Sequence, residues 1–422
     1  MALPRRATAT GLAFLTLSTF IALTSELLPV GLIPEIARDA GVAEGTAGLT
    51  VSVFAVCVAV LAVPLARATD HLPRKALLVA TVACYALSDL IVASTPHFGV
   101  ILVGRAVGGV GHALFYSVVT SYTARLVSPD LVGRAMSVVF AGASVGGILG
   151  VPIATAIGVA TSWRTAFVVM AIAAALLALG IAVALPRVSE GVDETPATVS
   201  QRAWWRAGLY AVGAVNALVF VGHHFVYTYV TSILRLAGIT SDRVSAVLFA
   251  LGLVSALGLV AAGALVDRRP RLGALLHTGV MAASLAALAA LLAAGLDVPA
   301  LVVVAVWNIA FAGIGTFMMT AAIRTGVTSP GVAGAFINST SNVGITIGSA
   351  TGGVALAAVG PALLPVGGAA VLVAALVVVI VARQGFPARP HRELSLNTTG
   401  SIRAILPSRR DRPRPLRRGR TR

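Results

Sequence analysis

Lysine occurs once in these 422 residues, at Lys75, and no glycine precedes it. A Walker A phosphate loop is therefore absent, and the His-Glu-x-x-His pattern of a zinc peptidase does not occur either, so neither nucleotide hydrolysis nor metal-assisted hydrolysis is indicated. Cysteine is almost as scarce: Cys57 and Cys84 both fall inside apolar runs, with neither spacing nor context for a disulfide framework or a metal site. They read as core thiols. Charge is scarce too, at 11% of residues with only 15 acids, while 58% of the chain is hydrophobic. That excludes a soluble globular domain.

What is present is apolar length. Windows of about 20 apolar residues, enough for a helix to cross the hydrocarbon core, recur at 10–34, 46–66, 76–95, 99–124, 135–159, 165–185, 207–234, 244–265, 274–295, 300–323, 333–358 and 366–384. Twelve spans are expected. The first run continues through Pro29 and Pro34 instead of ending at a small-residue cleavage site, so it serves as its own insertion signal.

A net charge of +16 raises the question of nucleic acid, and the positions of the arginines answer it. With the N-terminus placed inside, the loops on that side hold most of the Lys and Arg, whereas the opposite side has only Arg38, Arg164, Arg235 and Arg243. This is the positive-inside bias, and it puts both termini in the cytoplasm. The tail after Gln384, ending RRDRPRPLRRGRTR, has the composition of a solvated, disordered end; attraction to anionic headgroups is the alternative.

An offset of 197 residues lays Arg38-Asp-Ala-Gly-Val42 over Arg235-Leu-Ala-Gly-Ile239, and Asp70-His-Leu-Pro-Arg74 over Asp267-Arg-Arg-Pro-Arg271. The chain thus divides into two six-helix bundles, 1–185 and 207–384, joined by a polar linker at 186–206 and followed by the basic tail 385–422. The fold class is an all-α membrane protein with two pseudo-symmetric bundles. Parallel repeats around a midplane site are a common plan of secondary transporters, which argues for transport from the repeat alone.

Ionisable residues at membrane depth are expensive and are read as functional by default. They are Glu26 in the first span, Asp89 in the third, Arg105 and His112 in the fourth, and His223 and His224 in the seventh. The offset places Glu26 over His223. Arg105 needs a carboxylate partner, with Asp89 and Glu26 available. A carboxyl balanced between desolvation and a nearby arginine can load and release a proton as a cavity opens to one side and then the other. Glu26, Arg105, Asp89 and His112 form the expected proton-coupling set, with packing roles open for His112 and Asp89. The expected substrate cavity contains Glu26, His223, His224, Asn216, Trp307, Asn308, Asn338 and Asn342; each Asn can instead bond between helices, with the cavity favoured for Asn308, next to Trp307, and for Asn338.

The loops repeat as well. Asp70, Arg74 and Lys75 in the first half, and Asp267, Arg268 and Arg271 in the second, suit a latch in which acids at span ends meet arginines or helix dipoles. Gly142, Gly146, Gly147 and Gly150, followed by Pro152, make a ladder for close packing and a hinge.

These residues resemble the major facilitator superfamily over about 8–384. Asp70-x-x-Pro73-Arg74-Lys75 is similar to its loop 2–3 motif, departing at Ala66, His71 and Pro73, while Gly263 and Asp267-Arg268 keep it better in the second half. Val103-Gly-Arg-Ala-Val-Gly-Gly109 is similar to the span-four motif, whose arginine the resemblance implicates in proton coupling. Glu26-Leu-Leu-Pro29 through Pro34, Glu44-Gly-Thr-Ala-Gly48, Gly150-Val-Pro152 and Trp163-Arg164-x-x-Phe167 resemble the twelve-span drug:proton antiporters of the chloramphenicol-resistance and sugar-efflux branch, with Val151 splitting the Gly-Pro pair.

The expectation is proton-coupled efflux of a small, fairly apolar compound across a bacterial cytoplasmic membrane. The chain would act as a monomer in the bilayer, without a cofactor other than the proton gradient and without nucleic acid. Sugar or metabolite efflux by the same fold is the alternative. A receptor or scaffold is disfavoured by the short outer loops.

Overall fold

The computed structural model describes residues 5–69, 71–128, 131–186, 203–266, 268–327 and 330–386. Asp70 and Asp267 of the expected latch, residues 187–202 of the linker and 387–422 of the tail lie outside the described residues. Ten helices each supply one span: α1 Ala7–Ala40, α2 Glu44–Ala68, α3 Arg74–Ala93, α4 Phe98–Leu126, α5 Arg134–Ala160, α6 Trp163–Ala184, α7 Ala207–Tyr227, α8 Ser241–Val266, α9 Pro270–Ala293 and α10 Asp297–Arg324. The last long stretch, Val332–Val381, is two helices divided at Gly360, whose φ of 75° breaks the helical path. We number them α11, 332–359, and α12, 361–381. Twelve spans result.

The two halves pack by the same plan. In the first, α1 lies on α5, α2 on α4, and α3 on α4 and α6; in the second, α7 lies on α11, α8 on α10, and α9 on α10 and α12. Between the halves, α2 meets α11 and α5 meets α8. Local backbone repeats too. After a break in α1, a short helical segment runs from Ile33 to Ala40 and ends on Gly41 at φ 65°. After α7 the segment Val230–Leu236 does the same, followed by Gly238 at φ 77°. The closing bonds, Val42 N–H to the Ala37 carbonyl and Ile239 N–H to the Leu234 carbonyl, are both 3.0 Å. They are related by the 197-residue offset. Only glycine adopts this left-handed turn without strain, so the shared Ala-Gly is explained. The expected seventh span, 207–234, is corrected accordingly: its helix stops at Tyr227 and a separate segment follows.

Glycine ladders bring the helices together. A Cβ on Gly146 would stand 2.8 Å from the Phe20 carbonyl oxygen, and Gly142 and Gly150 press on Thr16 and Thr24 of α1. Gly147 is different, with its nearest neighbour at an ordinary 3.5 Å. In the second half, a Cβ on Gly344 or Gly348 of α11 would stand 2.5 Å from the Ala217 or Val221 carbonyl oxygen of α7, and Gly352 packs in the same way on Phe225. With no hydrophobic drive between helices in lipid, such close backbone approach is a main source of association.

Candidate functional site

Proline dictates the local chemistry of α1. Pro29 has no N–H for the carbonyl of Ser25 four residues back, and Pro34 likewise leaves Val30 without its helical donor. The helix passes through a 3₁₀ turn at Leu28–Leu32. Both carbonyls are taken up from other helices: Arg105 Nη1 donates to Ser25 O at 2.8 Å, and Thr231 Oγ1 donates to Val30 O at 3.2 Å. Arg105 also donates from Nη2 to Glu26 O at 2.7 Å and from Nε to Thr50 O at 2.9 Å, and its guanidinium sits 4.5 Å from the Phe54 ring centre. It is wholly buried. The expected carboxylates, Asp89 and Glu26, thus act on Arg105 through space and not by direct contact. Main-chain oxygens take its donors, two from the proline-broken turn of α1 and one from α2, and the described ion pairs do not include it.

The carboxyls stand beside this clamp. Glu26 is 6% exposed, and its Oε2 lies 3.6 Å from Nε2 of His112. On the other side of that ring, Nδ1 is 3.0 Å from the Tyr85 hydroxyl. The result is a row of phenol, imidazole and carboxyl reaching from α3 through α4 to α1, enclosed by Phe54, Phe115 and Tyr116. Asp89, fully buried, lies 3.0 Å through each oxygen from the Ser25 hydroxyl, which donates to it. The structure thus brings Glu26, Asp89, Arg105 and His112 together. Ser25, Tyr85, Phe54 and Tyr116 were missed from the sequence, although Tyr85 is one helical turn before Asp89 and Tyr116 one turn after His112.

The second half gathers an aromatic box without an acid. His223 stacks on Phe311 with ring centres 3.4 Å apart, and Tyr227, Trp307 and His224 lie within 5.0 Å of it. His223 Nδ1, His224 Nδ1 and Trp307 Nε1 are buried without a hydrogen-bond partner. The asparagines differ among themselves. Asn216 joins α7 to α11, donating to Ile337 O, Thr340 and Ser341 at 2.9–3.0 Å. Asn308 bonds to Val304 O of its own helix and Asn342 to Asn338 O, leaving Asn342 Oδ1 free and Asn338 half-buried.

Of the expected latch, Arg74 is buried, Lys75 is half-buried, Arg268 is exposed and Arg271 donates to Ile380 O within its own half. Among the described residues, bonds between the halves cluster at the opposite end, where α1 turns into α2. There Arg235 pairs with Glu35, Ser232 donates to Glu44, Tyr229 donates to Ser349 O at 2.7 Å, and Ser52 and Ser349 share a 2.7 Å bond. Gly45 and Gly353 meet there backbone to backbone. A cleft of about 580 Å³ opens above, bordered by Glu44, Arg235 and Pro361. One further bond, Ser339 to Ala59 O at 3.4 Å, lies farther along α2 and α11. Glu35 and Glu44 could have been noticed as acids at a span end opposite Arg235 in the repeat.

Against known proteins, the profile of the Major Facilitator Superfamily matches residues 15–349. A chloramphenicol efflux pump of Mycobacterium tuberculosis is 32% identical over 361 residues, covering 82% of this chain and 85% of that protein. A chloramphenicol resistance protein of Streptomyces lividans is 29% identical over 329 residues, covering 77% and 83%. Among solved structures, a bacterial homolog of the human lysosomal transporter Spinster, in an inward-facing and unoccupied conformation, superposes with a TM-score of 0.69 at 16% identity, covering 92% of this chain and 98% of that one. That likeness is one of fold.

Proposed function

The chain belongs to the Major Facilitator Superfamily, a family of membrane transporters rather than enzymes, and on that premise we propose that it exports a small, fairly apolar compound in exchange for protons by alternating access. The observation that carries this reading is Glu26: a carboxyl in the broken turn of α1, beside His112 and within one residue of two arginine contacts. An acid at that depth is retained where it exchanges a proton or meets a partner.

Substrate would be met by the box of His223, His224, Trp307 and Phe311, with Asn308 on α10 beside Trp307 in sequence and Asn338 and Asn342 supplied from α11. The box has flat aromatic faces and open hydrogen-bonding atoms but no charge. An uncharged compound bearing an aromatic ring, as the names of the relatives suggest with chloramphenicol, fits that chemistry. A sugar or other metabolite is the second reading, favoured by the same unpartnered nitrogens; a ligand-binding panel separates the two.

The bundles 1–185 and 207–384 would rock against each other along α2–α11 and α5–α8, joined by 186–206. The arginine bias puts both termini in the cytoplasm of a bacterial cell membrane, so the Glu35–Arg235 end faces outward and is drawn shut. No cofactor beyond the proton gradient and no second copy is invoked.

The test uses proteoliposomes containing the full chain, an imposed pH gradient and chloramphenicol. Substrate-dependent proton movement is expected, and Glu26→Gln is expected to reduce it at least tenfold with folding intact. Unchanged coupling in Glu26→Gln removes Glu26 from the mechanism.

A further inference from the structure

Two carboxyls and one guanidinium converge on two consecutive residues of α1. Ser25 donates its hydroxyl to Asp89, and the carbonyls of Ser25 and Glu26 both accept from Arg105. Asp89 and Arg105 are 0% exposed and Glu26 is 6% exposed. The remaining titratable groups packed here are His112, which faces Glu26, the phenols of Tyr85 and Tyr116, and the thiols of Cys57 and Cys84. The other buried cation of this half, Arg74, is fifteen residues from Asp89 along α3, about 22 Å at helical rise. It does not neutralise the cluster.

An uncompensated charge in so dry a place is strongly disfavoured. With Arg105 charged, both acids ionised leave one negative charge over, and both protonated leave one positive charge. A single proton balances the set.

Building on the proton-coupled reading, we propose that Glu26 and Asp89 together form the proton site, sharing one exchangeable proton against the fixed charge of Arg105. Either acid alone is balanced by the arginine and has no proton to exchange. Asp89 is therefore as necessary as Glu26 although it does not touch His112 in the described contacts, and one proton is exchanged per cycle. Loading transfers one proton from water to a carboxylate oxygen, and release returns it.

Infrared spectroscopy of the full chain in lipid at neutral pH reads this directly and needs no substrate. The C=O stretch of a protonated buried carboxyl is expected in the native chain. It should vanish in Glu26→Gln and, separately, in Asp89→Asn, which keeps an acceptor for Ser25. Persistence of the band in either variant, or its absence from the native chain, overturns the shared site. Because each variant is decisive alone, failure of one to fold leaves the other standing. Coupling in native proteoliposomes with chloramphenicol separates the two readings. If native coupling is intact while a band persists in one variant, one-proton sharing fails and proton-coupled export survives; if native coupling is missing, the transport reading itself fails.

Discussion

Arg105 holds its place by donating to three carbonyls, and that geometry sets what a substitution does. A guanidinium presents a planar fork of donors, whereas the ammonium of lysine is a point charge on a flexible stem. Arg105→Lys keeps the charge but lacks the fork that spans the carbonyls of Ser25, Glu26 and Thr50, and is expected to lose two of those bonds. Hydrogen bonds from charged donors contribute about 1.5–3 kcal/mol each, so losing two costs about 3 kcal/mol or more. A lower unfolding temperature in detergent is expected, with faster amide exchange confined to residues 25–32. If exchange there is unchanged, Arg105 does not clamp the turn. The broken turn also explains why a positive charge at this depth is tolerated: the carbonyl dipoles freed by Pro29 and by the 3₁₀ turn solvate it.

Among elements, the two glycine ladders are the clearest case of sequence spacing becoming structure. Gly146→Ala and Gly348→Ala place a methyl 2.8 and 2.5 Å from a carbonyl oxygen of the facing helix, and Gly147→Ala places one at 3.5 Å. The first two should each destabilise by about 1–3 kcal/mol, as overpacking does, and the third should stay within about 0.5 kcal/mol; thermal unfolding of the three side by side decides it. The contrast also shows what the sequence discloses. Glycine at every fourth position of α5 was legible as a packing face, yet the one glycine out of phase, Gly147, was not separable without knowing where α1 lies. The same four-residue spacing at Gly344, Gly348 and Gly352 is equally present in the sequence and forms the matching face of α11. Spans and repeat were legible since apolar length and the Asp/Arg and Ala-Gly echoes are written in side chains. The partner of Arg105 was not, because backbone carbonyls carry no letter, and only the pair of prolines hinted that some would be free. Asn216 shows the limit of residue type: cavity lining and interhelical bonding were both open to its amide, and only the position of α11 decides for the bond between α7 and α11.

At the scale of the whole molecule, the question is what keeps two similar bundles leaning to one side. Alternating access needs two states close in energy, so a contact made in only one of them biases the balance by its own free energy. The Glu35–Arg235 pair joins α1 to the segment after α7, with 15% and 25% of each side chain exposed. It shares its end of the molecule with the Ser232–Glu44 and Tyr229–Ser349 bonds. Removing one charge-assisted bond of about 1.5 kcal/mol shifts the ratio of states about tenfold. Arg235→Gln is therefore expected to populate a form opened at this end. Spin labels at Ala43 and Leu236, which border the same cleft, should report a second, longer distance in pulsed dipolar spectroscopy. Exchanging the charges, Glu35→Arg with Arg235→Glu, should restore the single short distance, because the pair is reversed and not lost. An unchanged distance in Arg235→Gln would assign closure to the neutral contacts, the Gly45–Gly353 approach and the Ser52–Ser349 bond, and would make the ion pair a passenger of a seal formed by backbone packing.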